Sequence, residues 1–187
     1  DADLSGSTMT KHFAEKYPDS LVVQGLALAA CEDYIVSPEV VLQRGSGGAA
    51  VLEEIKKPLE KIIGRYDSLF VELVAEAEEP EEDKNALLEQ EKYEIATAML
   101  EIDADFTQKF VQESLQQIES ESLEDILMTI AFKNEDFAAV LPILQKRCER
   151  EPENVYNLYL MVLAAYRTDD MDKAVEYCCK YAELVAS

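Results

Sequence analysis

The chain has 187 residues, enough for one domain with a sizeable core or for a short helical array. Its 17 basic and 39 acidic residues leave a formal net charge of -22, which repels nucleic acid and anionic lipid and favours partners with basic surfaces. With 48% hydrophobic residues and few Gly or Pro, the composition is globular and permits long helices, and no apolar run approaches the roughly 20 residues of a membrane span.

Residues 1–8 are small and polar, as at a frayed terminus, and Thr8 or Thr10 is placed to cap a short helix that Tyr17-Pro18 ends. His12 falls in that stretch and reads as a surface side chain. Asp19 or Ser20 then caps LVVQGLALAACEDY, where Leu21, Val22, Gly25, Leu26, Ala29 and Ala30 follow helical spacing, with a short buried strand over residues 21–23 as the rival reading. Ser37-Pro38 starts a further helix, and Arg44-Gly45-Ser46-Gly47-Gly48 breaks the chain. That break lacks the lysine and hydroxyl of a phosphate-binding loop, so it reads as a connector.

The longest predicted helix runs over residues 49–77, with Leu52, Ile55, Leu59, Ile62, Tyr66, Leu69 and Leu73 alternating three and four residues apart. Pro58 should kink it and Gly64 should weaken it. The acidic run Glu78 to Asp83 reads as a solvated loop, followed by a helix from about Asn85 striped by Leu88, Ile95, Met99 and Ile102. Asp103 or Asp105 caps the next helix, which buries Phe106, Phe110, Leu115 and Ile118. Neither acidic segment has the oxygen-ligand spacing of a calcium loop. Ser122 with Asp125 gives an acidic capping box for the helix carrying Leu123, Ile126, Leu127 and Ile130, and Asn134-Glu135-Asp136 turns the chain into 137–150, which Pro142 should bend.

From Asn154 the pattern is clearest. Leu158, Met161 and Ala165 recur at helical steps, Arg167-Thr168-Asp169-Asp170 interrupts them, and Met171, Ala174, Val175 and Cys178 resume the period. Residues 121–154 and 155–187 also share one gap-free 34-residue frame, with Leu127, Ala131, Phe137 and Leu144 in the first unit and Leu158, Met161, Ala165 and Cys178 in the second. These two units resemble tetratricopeptide (TPR) repeats, with departures at Glu124, Met128, Val140, Val162 and Tyr181. The resemblance implies antiparallel helical hairpins in a right-handed solenoid over 121–187. The fold class expected is therefore all-α, with an irregular helical bundle as the alternative. Three segments are expected within one continuous helical domain: 1–48, 49–120 and 121–187.

Cys31, Cys148, Cys178 and Cys179 form no CxxC pair and no cluster with His12, so reduced thiols are expected and no metal site. Adjacent Cys178 and Cys179 diverge by about 100° on a helix, so one should pack inward. No nucleophile-base pair or cofactor fingerprint is present; no catalytic residue and no cofactor is expected. The function expected is a non-catalytic scaffold or subunit of a hetero-oligomeric complex, in contact with a basic protein surface and without membrane insertion. The alternatives are an adaptor that holds a peptide segment, as some TPR co-chaperones do, and an acidic enzyme with an unrecognised carboxylate site. The expected contact residues are Phe132, Tyr156, Tyr159, Leu163 and Tyr166, because Tyr and Phe join large area to an adaptable edge and those on one helix share a face. A soluble, intracellular location is expected, in the cytoplasm or an organelle, with Asp1 marking either a processed or a truncated terminus.

Overall fold

The computed structural model describes residues 12–35, 48–100 and 102–186, with the side chains of 32–35 and 48–55 outside the described set. The expected helix from Ser37-Pro38, nearly all of the Gly-rich connector, and the Thr8 and Thr10 caps fall outside these residues. All regular structure among the described residues is α-helical. The chain divides into two compact units, residues 1–119 and 120–187.

In the first unit, residues 12–16 are helical and stop before Pro18. Four longer helices follow: α1 (Leu21–Ile35), α2 (Gly48–Glu76), α3 (Glu81–Leu100) and α4 (Ala104–Ser114). Each packs on the next in chain order. The side chains predicted to lead inward on α1 do not: Val22 and Leu26 are 71% and 64% exposed, while Gln24, Ala27, Leu28 and Cys31 are buried. The helix is apolar nearly all round, so its period carries no contrast, and Gln24 decides the face. Its amide nitrogen donates to the carbonyls of Ala14 (2.8 Å) and Tyr17 (3.0 Å), which ties α1 to the preceding turn.

Helix α2 runs unbroken through Pro58 and buries Leu59, Ile62, Ile63 and Val74, with Tyr66, Leu69 and Phe70 half-buried. Leu73, at the end of the predicted seam, is exposed. Helix α3 begins four residues earlier than predicted. Glu81, Glu82 and Asp83 form its first turn, where carboxylates are favoured by the unpaired amides, so half of the acidic run is helix and not loop. Its stripe buries Ile95 and Met99 and also Lys92, whose ammonium meets Asp67 Oδ1 at 2.7 Å and lies 5.5 Å from the Phe110 ring centre. Asp103 caps α4 as expected, accepting from Phe106 N–H at 3.0 Å.

The second unit contains α5 (Glu121–Lys133), α6 (Phe137–Arg150), α7 (Val155–Arg167) and α8 (Met171–Ala186). Helices α5 and α7 start at 121 and 155, α6 and α8 at 137 and 171, and both pairs are offset by 34 residues. The two turns match at the same offset. Glu135 and Asp169 have φ of 56° and 61°, and the following aspartates donate N–H to Ala131 O (2.8 Å) and Ala165 O (2.9 Å). The cap of α5 is Ser120, which accepts from Leu123 N–H at 3.1 Å, in place of the predicted Ser122.

One core joins the four helices, formed by Met128, Ala131, Val140, Leu144, Leu158, Met161, Ala164 and Tyr177 among others. Beside it, a charged group replaces apolar packing. Arg147 donates to Glu124 Oε2 (2.8 Å), Asp125 Oδ1 (2.7 Å) and the Glu121 carbonyl (2.8 Å) while Arg147 and Glu124 are both buried. Asp125 is thus taken up by an arginine and not by a capping box.

Candidate functional site

Helix α7 is fixed at both ends by side-chain bonds to its backbone. Asn154 Oδ1 accepts from the N–H groups of Tyr156 (3.1 Å) and Asn157 (3.2 Å), and Thr168 Oγ1 donates to Ala164 O at 2.9 Å. Between these caps the helix turns Leu158, Leu160, Met161, Ala164 and Ala165 into the core. With that face committed, the helical period places Tyr156, Tyr159, Leu163 and Tyr166 on the other side. Tyr156, Tyr159 and Tyr166 are 66%, 51% and 59% exposed, and Leu163 is half-buried.

Phe132 does not join this strip. It is half-buried on the core, with its ring edge-on to Phe137 at 5.6 Å, and the Arg167 guanidinium caps Phe137 from 5.4 Å. The aromatic contact of α5 therefore serves internal packing. Tyr181, which the sequence pattern marked only as a departure, lies 6.5 Å from Tyr159 and extends the aromatic surface onto α8.

No acidic residue occurs anywhere in α7, and its only charge is Arg167. In a chain of net charge -22, this leaves the tyrosine strip on a helix with no carboxylate. The turns that flank it carry carboxylates, at Glu151 and Glu153 and at Asp169 and Asp170.

The cysteines depart from expectation. Cys31 and Cys148 are buried, but Cys178 and Cys179 are both exposed, so neither packs inward. The inward position of that turn of α8 belongs to Tyr177. Burial pushes the Cys148 thiol above the ordinary thiol range.

The first unit holds a groove of about 820 Å³ between α2 and α4, lined in part by Lys56, Lys61, Asp67, Asp103 and Lys109. Two of its carboxylates are already engaged, Asp67 by Lys92 and Asp103 by Lys56 (3.5 Å) and the α4 cap. His12 is exposed, with its ring 6.3 Å from Phe13. Among the described residues no three His, Cys, Asp or Glu side chains are grouped to hold a metal ion, and no helix is long and apolar enough to cross a membrane. No family model, curated protein or solved structure matches the chain.

Proposed function

We propose that this protein is a non-catalytic interaction scaffold, that residues 121–187 are two TPR-like units of a right-handed solenoid, and that the tyrosine face of α7 contacts a partner protein within a larger complex. The 34-residue offset shared by helix starts, turn conformations and turn hydrogen bonds supports the repeat reading. One observation carries the partner reading: three tyrosines stand more than half exposed on one face of a helix whose other face already fills a core. Exposing that much aromatic surface gains nothing for the free protein, whereas Tyr is enriched where a surface must be stable alone and bury well on association.

A basic partner surface fits the net charge of -22, and its association should slow and weaken as salt screens the attraction. Cross-linking mass spectrometry of the native complex tests the reading, because cross-links and protection should map to α7. The variants Tyr156→Ala and Tyr166→Ala should leave the melting temperature nearly unchanged while weakening partner capture by about 2 kcal/mol for a central anchor. Unchanged capture with a clearly lowered melting temperature would assign the rings to folding and remove the site.

A further inference from the structure

The 34-residue offset sets two helix faces in correspondence. On α6, which packs against α7, the row Phe137, Leu141, Leu144 and Cys148 belongs to the shared core: Leu144 and Cys148 are buried, and Phe137 and Leu141 pack on that core half-buried. On α8 the same frame gives Met171, Val175, Cys178 and Ala182, again apolar at every position. Here nothing covers them. Met171 and Val175 are 50% and 63% exposed, and Cys178, Ala182 and the next residue of the row, Val185, are exposed as well.

The row is spaced 4-3-4-3, the seam that a packed helix presents, and spans about 21 Å at 1.5 Å per residue. A helix of about 15 residues or more would cover it. Its centre, Cys178, Cys179 and Ala182, is made of small side chains, which allow close approach of helix axes. Along its solvent side run Asp172, Glu176 and Glu183, all exposed, and its two cations are already paired, Lys173 with Asp170 at 3.2 Å and Lys180 with Glu176 at 2.7 Å.

We propose that the Met171-Val175-Cys178-Ala182 face of α8 is a docking site for an amphipathic helix of a partner protein, flanked by Lys or Arg, seated on α8 as α7 is seated on α6. The core that α6 and α7 share defines the required seam, aliphatic and small residues in the manner of Leu158, Met161 and Ala164. The acidic edge of α8 defines the flanking charge. A second copy of this chain would bring the same carboxylate edge and a like net charge of -22 against it.

The test uses the full chain and synthetic helices of about 18 residues carrying a Leu/Met/Ala seam. One is flanked by lysines, one is flanked by glutamates, and one has the lysines with the seam scrambled. Fluorescence anisotropy should show binding of the first alone, weakened roughly tenfold or more by Val175→Asp or Ala182→Glu, both at exposed positions that leave the circular dichroism melt unchanged. Bound helix should also slow alkylation of Cys178 in a Cys179→Ser background. Equal binding of the scrambled helix, or indifference to Val175→Asp, overturns the proposal. Concentration-dependent dimerisation that Val175→Asp abolishes would overturn it in favour of a second copy. Loss of the α7 tyrosine contact would leave these outcomes untouched, because no variant here touches that face.

Discussion

Replacing Arg147 by Met should be among the most destabilising single changes in the second unit. The guanidinium is 7% exposed and uses all three nitrogens, on Glu124 at 2.8 Å, Asp125 at 2.7 Å and the Glu121 carbonyl at 2.8 Å. Burial alone would lower its pKa, but the bonds from Glu124 and Asp125 outweigh that and raise it, so the charge is stabilised in place. Removing it strands Glu124, itself only 6% exposed, without its donor. Breaking a buried pair from one side costs about 3–5 kcal/mol, whereas replacing both partners by apolar residues is neutral or stabilising by up to about 4 kcal/mol. Arg147→Met should therefore cost several kcal/mol, and Glu124→Leu with Arg147→Met should restore most or all of it. Asp125→Ala is the control: its side chain is 63% exposed, so its share of the pair is worth about 0–1 kcal/mol. Urea unfolding followed by circular dichroism, with hydrogen exchange of α5 and α6 amides to localise the effect, measures all four proteins. A double variant no more stable than Arg147→Met would refute the coupling, and a loss for Asp125→Ala equal to that for Arg147→Met would refute the assignment of the energy to burial.

Gly64→Ala should raise the melting temperature, by about 0.5–1 kcal/mol of stability, because an added Cβ meets nothing within 4 Å in an exposed helix interior; Gly25→Ala should not, since its Cβ would sit 3.1 Å from the Tyr66 ring. Thiol titration with a maleimide in the native state should show Cys178 and Cys179 reacting fast and Cys31 and Cys148 only on unfolding; a single fast thiol would contradict the exposure of α8. Asp170 is held below its ordinary carboxylate pKa of 3.8 by the bonds it accepts from the backbone N–H and ammonium of Lys173. A depressed carboxylate stabilises above its unfolded pKa and loses that as pH falls through the folded value, so Asp170→Asn should flatten the stability curve of α8 below pH 3.8, read by hydrogen exchange.

The hairpin of α7 and α8 was legible because its turn, Arg167 to Asp170, separates two runs whose apolar positions contrast with polar ones. The seam of α2 was legible for the same reason through Leu59 and Ile62. Helix α1 was not, since a segment apolar on all sides has no face to detect, and a single Gln with two carbonyl partners set the rotation. Lys92 was missed although it stands in line with Leu88, Ile95 and Met99; a Lys within an apolar stripe is a cue to look for a buried partner, here Asp67, that sequence distance hides. Glu124 reads as a departure from the repeat pattern, and nothing in the sequence marks Arg147 as its partner. Only the fold shows that the two meet. At the candidate site, the tyrosines of α7 are readable as one face, whereas the packing of Phe132 onto Phe137 depends on the neighbouring helix and leaves no mark in the sequence.

Because α7 packs extensively against both α6 and α8, while α8 packs chiefly on α7, the amides of α8 should open to solvent exchange before those of its neighbours. Occupancy of its outer face and local order would then be one equilibrium. A helix bound there at 100 times its dissociation constant would deepen the closed state of α8 by about 2.7 kcal/mol, so the lifetime of this segment would report the presence of its partner.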